Sequence, residues 1–313
     1  MEKVTIRSTD LKVNPIGLGT NAVGGQMFYP NITDDAGRDL LKTAINQEVD
    51  FWDTAFIYGP KRSEEIIGEV LAETGKRNEI VLATKAAHEM IRGETIINNH
   101  PQFLERAVEE ALKRLQTDYI DLFYIHFPDE DTPKYEAVGA LQRLKEKGMI
   151  RAIGVSNFSL EQLQEANKDG YVNVMQGHYN LFNRKVEEDI LPYTYDHNIS
   201  FIPYFPFASG LLAGKYTKDT TFEEGDLRLK KPEFKGDAFL KNVEKVEKLR
   251  NIAEEKGVDI AQVVLSWYLH CDEIDVVIPG AKRSEQVVEN LRANELFLTE
   301  DEFLFIDELF DES

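Results

Sequence analysis

Residues 104–127 read LERAVEEALKRLQTDYIDLFYIHF and contain both repeating elements of the fold. In the first half, apolar residues recur every three or four positions, which is the period of one helix face. The helix residues with this spacing are Leu104, Ala107, Val108, Ala111, Leu112 and Leu115. The mostly apolar run 120–125 is typical of a buried β-strand. The helix face must therefore pack on the sheet to which this strand belongs.

The same pattern recurs along the whole chain. Eight short apolar or β-branched runs are predicted strands, and segments with helical periodicity separate most of them. The predicted strands are 16–19, 49–52, 80–84, 120–125, 152–155, 172–175, 200–203 and 276–278. Strands that alternate with helices form a parallel sheet, so the sequence predicts an α/β fold. Eight such units favour a closed (β/α)8 TIM barrel.

The boundaries of the predicted helices support this division. Three pairs of residues have the spacing of an N-terminal capping box. They are Ser159 with Gln162, Asp259 with Gln262, and Thr299 with Glu302, the last opening an amphipathic C-terminal helix. The segment 204–237, between strands seven and eight, is predicted to be a long polar loop, which usually covers a site. No repeat or Pro-rich linker interrupts the series, so 1–313 is predicted to be a single domain.

Composition and charge exclude several classes of protein. The chain is 42% hydrophobic and 29% charged, which is typical of a soluble folded protein. Its net charge of -20 disfavours nucleic acid and anionic membranes as partners, because they carry charge of the same sign. The single cysteine, Cys271, cannot form an intrachain disulfide, and no His pair has the spacing of metal ligands, so no metal is predicted. Without an export signal or a long apolar run, the protein is expected to be cytoplasmic.

In a TIM barrel the loops that follow the strands share one face, and that face carries the active site. Residues suited to catalysis or ligand binding follow predicted strands two to eight. In chain order they are Asp53 and Tyr58, Lys85, His126, Ser156 and Asn157, Gln176, Tyr204, and finally Gly280, Lys282 and Arg283. A lone His at a strand end is more often structural, but an Asp, a Tyr, a Lys and a His from adjacent strands favour a catalytic site. An ammonium group beside a phenol lowers its pKa, so the Tyr can protonate a developing alkoxide.

The order Asp53, Tyr58, Lys85, His126 resembles the catalytic tetrad of the aldo-keto reductases. The resemblance covers the whole chain and includes IGLGT at 16–20, DYIDL at 118–122, IGVSN at 153–157 and IPG at 278–280. Closer still, GTNAVGG at 19–25 and FIPYFP at 201–206 are similar to bacterial reductases encoded beside inositol-utilisation genes. The family implies hydride transfer from a nicotinamide cofactor, usually NADPH, to a small-molecule carbonyl substrate, an aldehyde or ketone, without a metal.

The resemblance also implies a role for each residue of the site. Tyr58 would be the proton donor, Lys85 would lower its pKa, and Asp53 would hold Lys85 by an ion pair. His126 would orient the carbonyl and share in proton transfer. The implied cofactor residues are Ser156, Asn157 and Gln176 at the carboxamide, Tyr204 stacked on the nicotinamide, Lys215 at the pyrophosphate, Pro206, Phe207 and Ser209 in the same loop, and Gly280, Lys282, Arg283, Gln286, Glu289 and Asn290 at the adenosine end.

The charge near residue 283 predicts NADP rather than NAD. Lys282 and Arg283 lie just before a helix that Ser284 is expected to cap, and a helix N-terminus favours an anion such as a 2'-phosphate. A solvated helix start is the alternative interpretation. Phe205 and Ser209 stand where the family often has Ser and Arg, so a more open pyrophosphate site is expected.

Substrate and alternative functions are less defined by the sequence. Phe56, Phe127 and Phe207 flank rim residues, either as walls of an apolar pocket for an aromatic or aliphatic aldehyde or as ordinary packing. One alternative function is an NADPH-binding regulatory subunit of the potassium-channel beta type, which shares the fold and tetrad. Another is a lyase that forms a Schiff base at Lys85, but Asp53 argues against it because a carboxylate keeps the lysine charged. Oligomeric state is not predicted.

Overall fold

The computed structural model describes residues 2–25 and 31–311. In these residues the strands are β1 (Val4–Thr5), β2 (Lys12–Val13), β3 (Leu18–Gly19), β4 (Phe51–Asp53), β5 (Val81–Ala86), β6 (His88–Ile91), β7 (Glu94–Ile97), β8 (Ile120–Ile125), β9 (Ile150–Ser156), β10 (Val174–His178) and β11 (Ser200–Tyr204). Seven of them form one parallel sheet in the order β3, β4, β5, β8, β9, β10, β11. Each is one of the predicted barrel strands.

The eighth predicted strand closes the sheet without forming a regular ladder. Ile274 bridges to Phe201 on β11, while Val277 and Gly280 bridge to the first strand region at 16–19. Pro279 interrupts this edge because proline has no N–H to donate, although its carbonyl accepts from Gly19 at 3.1 Å. The predicted (β/α)8 barrel is therefore confirmed, and the prediction of a regular strand at 276–278 is corrected to a set of isolated bridges.

Eleven α-helices occur among the described residues. They are α1 (Asp34–Asn46), α2 (Arg62–Thr74), α3 (Pro101–Arg114), α4 (Lys134–Glu146), α5 (Leu160–Ala166), α6 (Ile190–Asp196), α7 (Gly236–Glu247), α8 (Arg250–Lys256), α9 (Ile260–Leu269), α10 (Ser284–Leu291) and α11 (Glu300–Phe310). The three predicted capping boxes are present at the starts of α5, α9 and α11. Helix α3 buries Leu104, Ala107, Val108 and Ala111, as its periodicity predicts.

A hairpin that the sequence did not predict closes the bottom of the barrel, the end at which the strands begin. Strands β1 and β2 pair in antiparallel fashion. Their buried residues Ile6, Leu11 and Val13 join the core inside the barrel. The barrel strands contribute Phe51, Ala83, Leu122, Tyr124, Ala152, Val174, Ile202, Val276 and Ile278 to this core. The barrel interior is thus filled by side chains and open only at the opposite end, the top.

The segment 204–237 is a long connection, but it is not simply polar. It contains 3-10 helices at Ala208–Ala213, Leu227–Lys230 and Pro232–Phe234. Tyr216, Phe222 and Phe234 pack with Phe239 of α7, with ring centres 5.4 to 6.2 Å apart. These aromatic side chains give the loop a small apolar cluster of its own, so the prediction of a polar loop is corrected.

A second unpredicted hairpin, β6–β7, follows β5 at the top of the barrel. Arg92 and Gly93 connect its strands with positive φ angles of 51° and 87°. A two-residue turn with φ above zero at both positions matches the twist of a hairpin. In the described parts of the chain, no helix is both long and apolar enough to span a bilayer.

Candidate active site

A buried ion pair lies where β4 and β5 end. Lys85 on β5 is fully buried and pairs with Asp53, the last residue of β4. The Lys85 ammonium also donates to the carbonyl of Thr54 at 2.9 Å, and Gln176 Nε2 donates to the other Asp53 oxygen at 2.9 Å. Burial lowers the pKa of Lys85, and the Asp53 charge opposes that shift. Three barrel strands therefore meet in one hydrogen-bonded group.

Tyr58 and His126 lie above this pair. The Lys85 ammonium is 5.5 Å from the centre of the Tyr58 ring, and the Tyr58 and His126 rings meet edge to face at 6.4 Å. Burial, the charge of Lys85 and the neighbouring His88 together hold the pKa of His126 well below its usual range. His126 is therefore a neutral imidazole near pH 7. The structure brings the four predicted tetrad residues together.

Hydrogen bonds behind the tetrad fix the backbone that carries it. Thr54, next to Asp53, donates to Ser63 Oγ at 2.8 Å. Thr84, next to Lys85, donates to Glu64 Oε1 at 2.7 Å, and Arg114 pairs with the other Glu64 oxygen at 2.6 Å. Desolvation by burial raises the pKa of Glu64, although Arg114 opposes that shift. Helices α2 and α3 are thereby joined to the strands that position the tetrad.

The three residues predicted at the carboxamide lie beside the tetrad. Ser156 ends β9, Asn157 follows it directly, and Gln176 lies on the adjacent β10. Asn157 has a left-handed backbone, with φ of 63°, and its amide nitrogen donates to the His126 carbonyl at 3.0 Å. Its Oδ1 accepts from the Tyr204 hydroxyl at 2.7 Å. The predicted stacking residue and the predicted amide binder are therefore bonded to each other.

His178 supports Tyr204 and was missed from the sequence. Their rings are parallel within 7° and their centres are 5.4 Å apart. Burial lowers the pKa of His178, so its ring faces Tyr204 without a charge near pH 7. The signal was present in the sequence, because His178 follows Gln176 by two positions and therefore points to the same side of β10.

The loop after β11 brings a lysine to the predicted pyrophosphate region. Lys231 donates to Ser209 Oγ at 2.7 Å, and its ammonium lies 5.0 Å from the centre of the Phe205 ring. Phe205 and Ser209 both have left-handed backbones, with φ of 55° and 59°. The sequence predicted a lost polar contact at these two positions, and Lys231 supplies a cation there from more than twenty residues away.

The other residues predicted in this loop differ in their environment. The Pro206 carbonyl accepts from the buried Tyr268 hydroxyl at 3.1 Å, and Phe207 packs against the apolar core. Lys215 is exposed just after Gly214, which ends the 3-10 helix at Ala208–Ala213. Pro206 and Phe207 thus contact the core of the fold, while Lys215 is an exposed residue.

The predicted adenosine end surrounds the start of α10. Lys282 and Arg283 are exposed, and the Lys282 backbone donates to Gln286 Oε1 at 2.8 Å. Glu289 and buried Asn290 lie further along the helix. Arg283 is the N-cap residue and Ser284 is the first residue of α10, so the prediction that Ser284 caps the helix is wrong by one position. The side chain of Gln286 takes the local backbone donor instead.

The surroundings of Lys282 and Arg283 suit a phosphate group of a dinucleotide cofactor. Two exposed cations precede a helix of eight residues, whose free N–H groups attract an anion. Beside them, a Cβ atom at Gly280 would lie 3.2 Å from Asn21 Oδ1. Glycine therefore leaves room where the ends of the first strand and the closing segment approach each other.

The three phenylalanines predicted as pocket walls have separate environments. Phe127 is 37% exposed and stacks on His126 with ring centres 4.9 Å apart. Phe56 lies under the Arg114 guanidinium and lines a cavity of about 190 Å³ that also includes His88. Phe207 belongs to the core packing. The apolar-wall interpretation therefore fits Phe127, the packing interpretation fits Phe207, and the cavity beside Phe56 is lined by charged as well as apolar side chains.

Comparison with known proteins identifies the family. Residues 15–311 match the model of the aldo/keto reductase family. The chain belongs to this family. It is 36% identical to the aldo-keto reductase YhdN of Bacillus subtilis (strain 168), over 92% of this chain and 87% of that protein. It is 34% identical to the aldo-keto reductase yakc [NADP(+)] of Schizosaccharomyces pombe, over 90% of this chain and 85% of that protein.

Solved structures of the family have the same fold. The glycerol dehydrogenase AKR11B4 from Gluconobacter oxydans superposes with a TM-score of 0.90 at 34% identity, covering 98% of this chain and 94% of that one. The aldo-keto reductase AKR11C1 from Bacillus halodurans, a holo form, gives 0.82 at 26% identity, covering 100% and 97%. The predicted family and barrel are confirmed, and the family makes the chain an oxidoreductase. Within residues 2–25 and 31–311, no group of three or more His, Cys, Asp or Glu side chains could hold a metal.

Proposed function

We propose that the protein reduces an aldehyde or ketone to an alcohol with NADPH. The observation that carries this proposal is the buried Lys85–Asp53 pair beneath Tyr58 and the neutral His126. This arrangement provides a proton donor, a fixed positive charge to stabilise the donor's phenolate, and an uncharged hydrogen-bonding group. A carbonyl reduction requires these three elements beside a hydride donor.

Each residue has one task in this mechanism. NADPH supplies the hydride when it is bound. The Tyr58 hydroxyl donates a proton to the carbonyl oxygen, and the Lys85 ammonium stabilises the resulting phenolate. Asp53 holds the ammonium in place and keeps it protonated. The neutral His126 ring orients the carbonyl oxygen by a hydrogen bond and shares in the proton transfer.

The cofactor would extend from the tetrad to α10. Ser156, Asn157 and Gln176 would hold the carboxamide, and Tyr204, backed by His178, would stack on the nicotinamide ring. Support for NADP comes from the Schizosaccharomyces pombe relative, whose name specifies NADP(+), and from the exposed cations before α10. The 2'-phosphate would lie at Lys282 and Arg283, where two positive charges meet a helix N-terminus. The pyrophosphate would lie between these ends, near Lys215.

The substrate class has two candidates. Phe127 stacked on His126 favours a carbonyl compound with an apolar body. The similarity to a glycerol dehydrogenase favours a small polyol and the reverse, oxidative direction. The resemblance to reductases encoded beside inositol-utilisation genes also favours a polar, polyol-like substrate, and it stays a prediction. The absence of nucleic-acid and membrane partners and a cytoplasmic location also stay predictions.

Two other functions remain as alternatives to test. A regulatory subunit of the potassium-channel beta type would bind NADPH with little turnover. A Schiff-base lyase would need a substrate carbonyl to reach Lys85 Nζ, but this side chain is fully buried and ion-paired. Borohydride trapping of substrate on Lys85 would identify the lyase.

The deciding experiment follows the absorbance of the reduced cofactor with NADPH and 4-nitrobenzaldehyde, and with NADH in parallel. We expect oxidation of NADPH and slower oxidation of NADH. The variant Tyr58→Phe should retain NADPH binding and lose turnover by about 10²- to 10⁴-fold. Tyr119→Phe is the matched control, because its hydroxyl bonds Asn78 at the bottom of the barrel. NADPH binding with no turnover by the unaltered protein would favour the regulatory function.

A further inference from the structure

The hairpin β6–β7 places a second histidine against the predicted catalytic one. The ring centre of His88 lies 5.3 Å from that of His126, in an edge-to-face arrangement. His88 also meets the Phe127 ring edge to face at 5.5 Å. The first residue of the hairpin is therefore part of the wall around His126, and the rest of the hairpin continues that wall away from the barrel.

The register of the hairpin divides its residues between two faces. His88 pairs with Ile97 and Met90 pairs with Thr95, so these four side chains share one face, here called the His88 face. Ile91 and Ile96, from the alternate pairs, share the opposite face. Since successive side chains of a strand point to opposite sides, only the His88 face is turned toward His126 and Phe127.

Apolar side chains are exposed on this wall. Met90 is 54% exposed and Ile97 is 37% exposed, as is Phe127. The cavity of about 190 Å³ that adjoins His88 is lined by Phe56, Met90 and Phe103 and also by five charged side chains, those of Lys61, Glu89, Arg106, Glu110 and Arg114. The apolar argument therefore rests on Met90, Ile97 and Phe127, whose exposed surface gains free energy when a ligand removes it from water.

The hairpin is held in one position relative to the barrel. Glu89 pairs with Arg106 of α3 at 2.5 Å and accepts from Asn98 at 2.6 Å. The Asn98 backbone donates to the carbonyl of Ala87 at 2.8 Å. Because the hairpin is anchored at its base, a substrate can bind to this wall without an entropy cost for ordering it. Such a fixed surface can discriminate between substrates by their shape and polarity.

We propose that the His88 face of the hairpin binds the apolar body of the carbonyl substrate and so determines substrate specificity. This inference rests on the proposed function, because it takes His126 as the group that holds the carbonyl oxygen. The substrate class is an aldehyde or ketone with an aromatic or branched aliphatic group, rather than a polyhydroxylated chain. Polar substrates would leave Met90, Ile97 and Phe127 in water.

The test compares two double variants on opposite faces of the same hairpin. Met90→Ser with Ile97→Ser alters the His88 face, and Ile91→Ser with Ile96→Ser is the matched control at similar exposure. The measured quantity is the kcat/KM ratio for 4-nitrobenzaldehyde over glyceraldehyde, with NADPH. Intrinsic reactivity of the two aldehydes cancels when the ratio is compared between variants.

We expect the His88-face variant to lower this ratio about tenfold, mainly through KM for the aromatic aldehyde, and the control to change it less than about twofold. Equal changes in both variants, or none in either, would overturn the inference. Binding of 4-nitrobenzyl alcohol to the protein with NADP⁺, measured by calorimetry, provides a readout without turnover. If the unaltered protein reduces neither aldehyde, the proposed function fails, and weaker alcohol binding by the His88-face variant alone still supports the wall.

Discussion

The two ends of the barrel differ in the hydrogen bonding of their buried polar side chains. At the bottom, Asp121 accepts from Arg77 at 2.8 Å, from Arg151 at 2.7 Å and from the backbone of Leu82 at 3.0 Å. At the top, the Nδ1 atoms of His88 and His126 are buried, and neither has a hydrogen-bond partner among the described residues. Unpaired buried polar atoms cost free energy, and at the top the two imidazole rings bear this cost beside the predicted catalytic residues.

Left-handed backbone conformations show the same contrast. At the bottom, Glu48, Gln116 and Asn198 adopt them directly after helices, where they close the last turn. At the top, Asn157 and Phe205 adopt them directly after strands, at the predicted cofactor site. The bottom of the barrel therefore supplies stability, while the top accepts local strain to present its side chains.

Among the variants that contrast the two ends of the barrel, Lys85→Met should have the largest effect on activity. Removal of the ammonium takes away the charge that favours the Tyr58 phenolate, so we expect kcat/KM to fall about a thousandfold. Lys145→Met is the control, since that half-buried lysine bonds Asn173 at the bottom. Steady-state kinetics of both variants measure the contrast, and similar losses in the two would contradict it.

The variant Asp121→Ala should lower the stability of the protein and leave its activity unchanged. It leaves two arginines and the Leu82 N–H without their shared acceptor, so we expect the free energy of unfolding to fall by about 3 kcal/mol. Activity per folded molecule should stay unchanged. Asp10→Ala is the control, because Asp10 pairs with the same Arg151 but is 81% exposed. Urea titration measures both, and an activity loss at constant stability would refute the division between the ends.

The variant Arg283→Ala should weaken NADPH binding about tenfold and leave NADH binding nearly unchanged. The reason is that the 2'-phosphate is present only in NADPH and would lie beside this guanidinium. Arg292→Ala provides a control from beyond the other end of α10, where it is the C-cap residue. Fluorescence titration with each cofactor gives the dissociation constants. Equal losses for NADPH and NADH would exclude a 2'-phosphate contact.

The smallest expected effect is on the pH dependence of the free energy of unfolding. The pKa of His126 is held below its usual value in the folded protein, so below pH 6.5 the unfolded chain binds a proton that the folded one does not. The unfolding free energy should therefore fall as pH decreases through this range, by up to about 1.4 kcal/mol per pH unit. His126→Asn should reduce this slope, because it removes the group that takes up the proton on unfolding. If the slope of the unfolding free energy against pH were unchanged in His126→Asn, His126 would not be the cause of that slope.

The sequence was sufficient to predict the barrel and the gathering of four polar residues. Those predictions depend on periodicity and on the rule that strand ends meet at one face, both of which are local signals. The two hairpins were missed for a physical reason. Strands β1 and β2 have two residues each, too few for an alternating pattern, and β6–β7 carries apolar residues on both faces. Its signal was the Arg92-Gly93 turn.

The finer contacts of the site could not be predicted because they join distant parts of the chain through loops. The bond from Lys231 to Ser209 depends on the path of the loop after β11. The stacking of His178 on Tyr204 depends on rotamers in two adjacent strands. Strand eight was predicted in the correct place, but Pro279 prevents a regular ladder of hydrogen bonds there. The short apolar run that predicted this strand does not reveal that interruption.

The hairpin β1–β2 also has a consequence for the order of folding. Its residues are synthesised before every barrel strand, yet Arg7 finds its partner Asp275 only 268 positions later. This contact at the bottom of the barrel therefore cannot form until the closing segment around Asp275 is present. Such long-range pairing slows folding and leaves intermediates open to aggregation. The bond between Arg7 and Asp275 should thus be among the last contacts of the barrel to form.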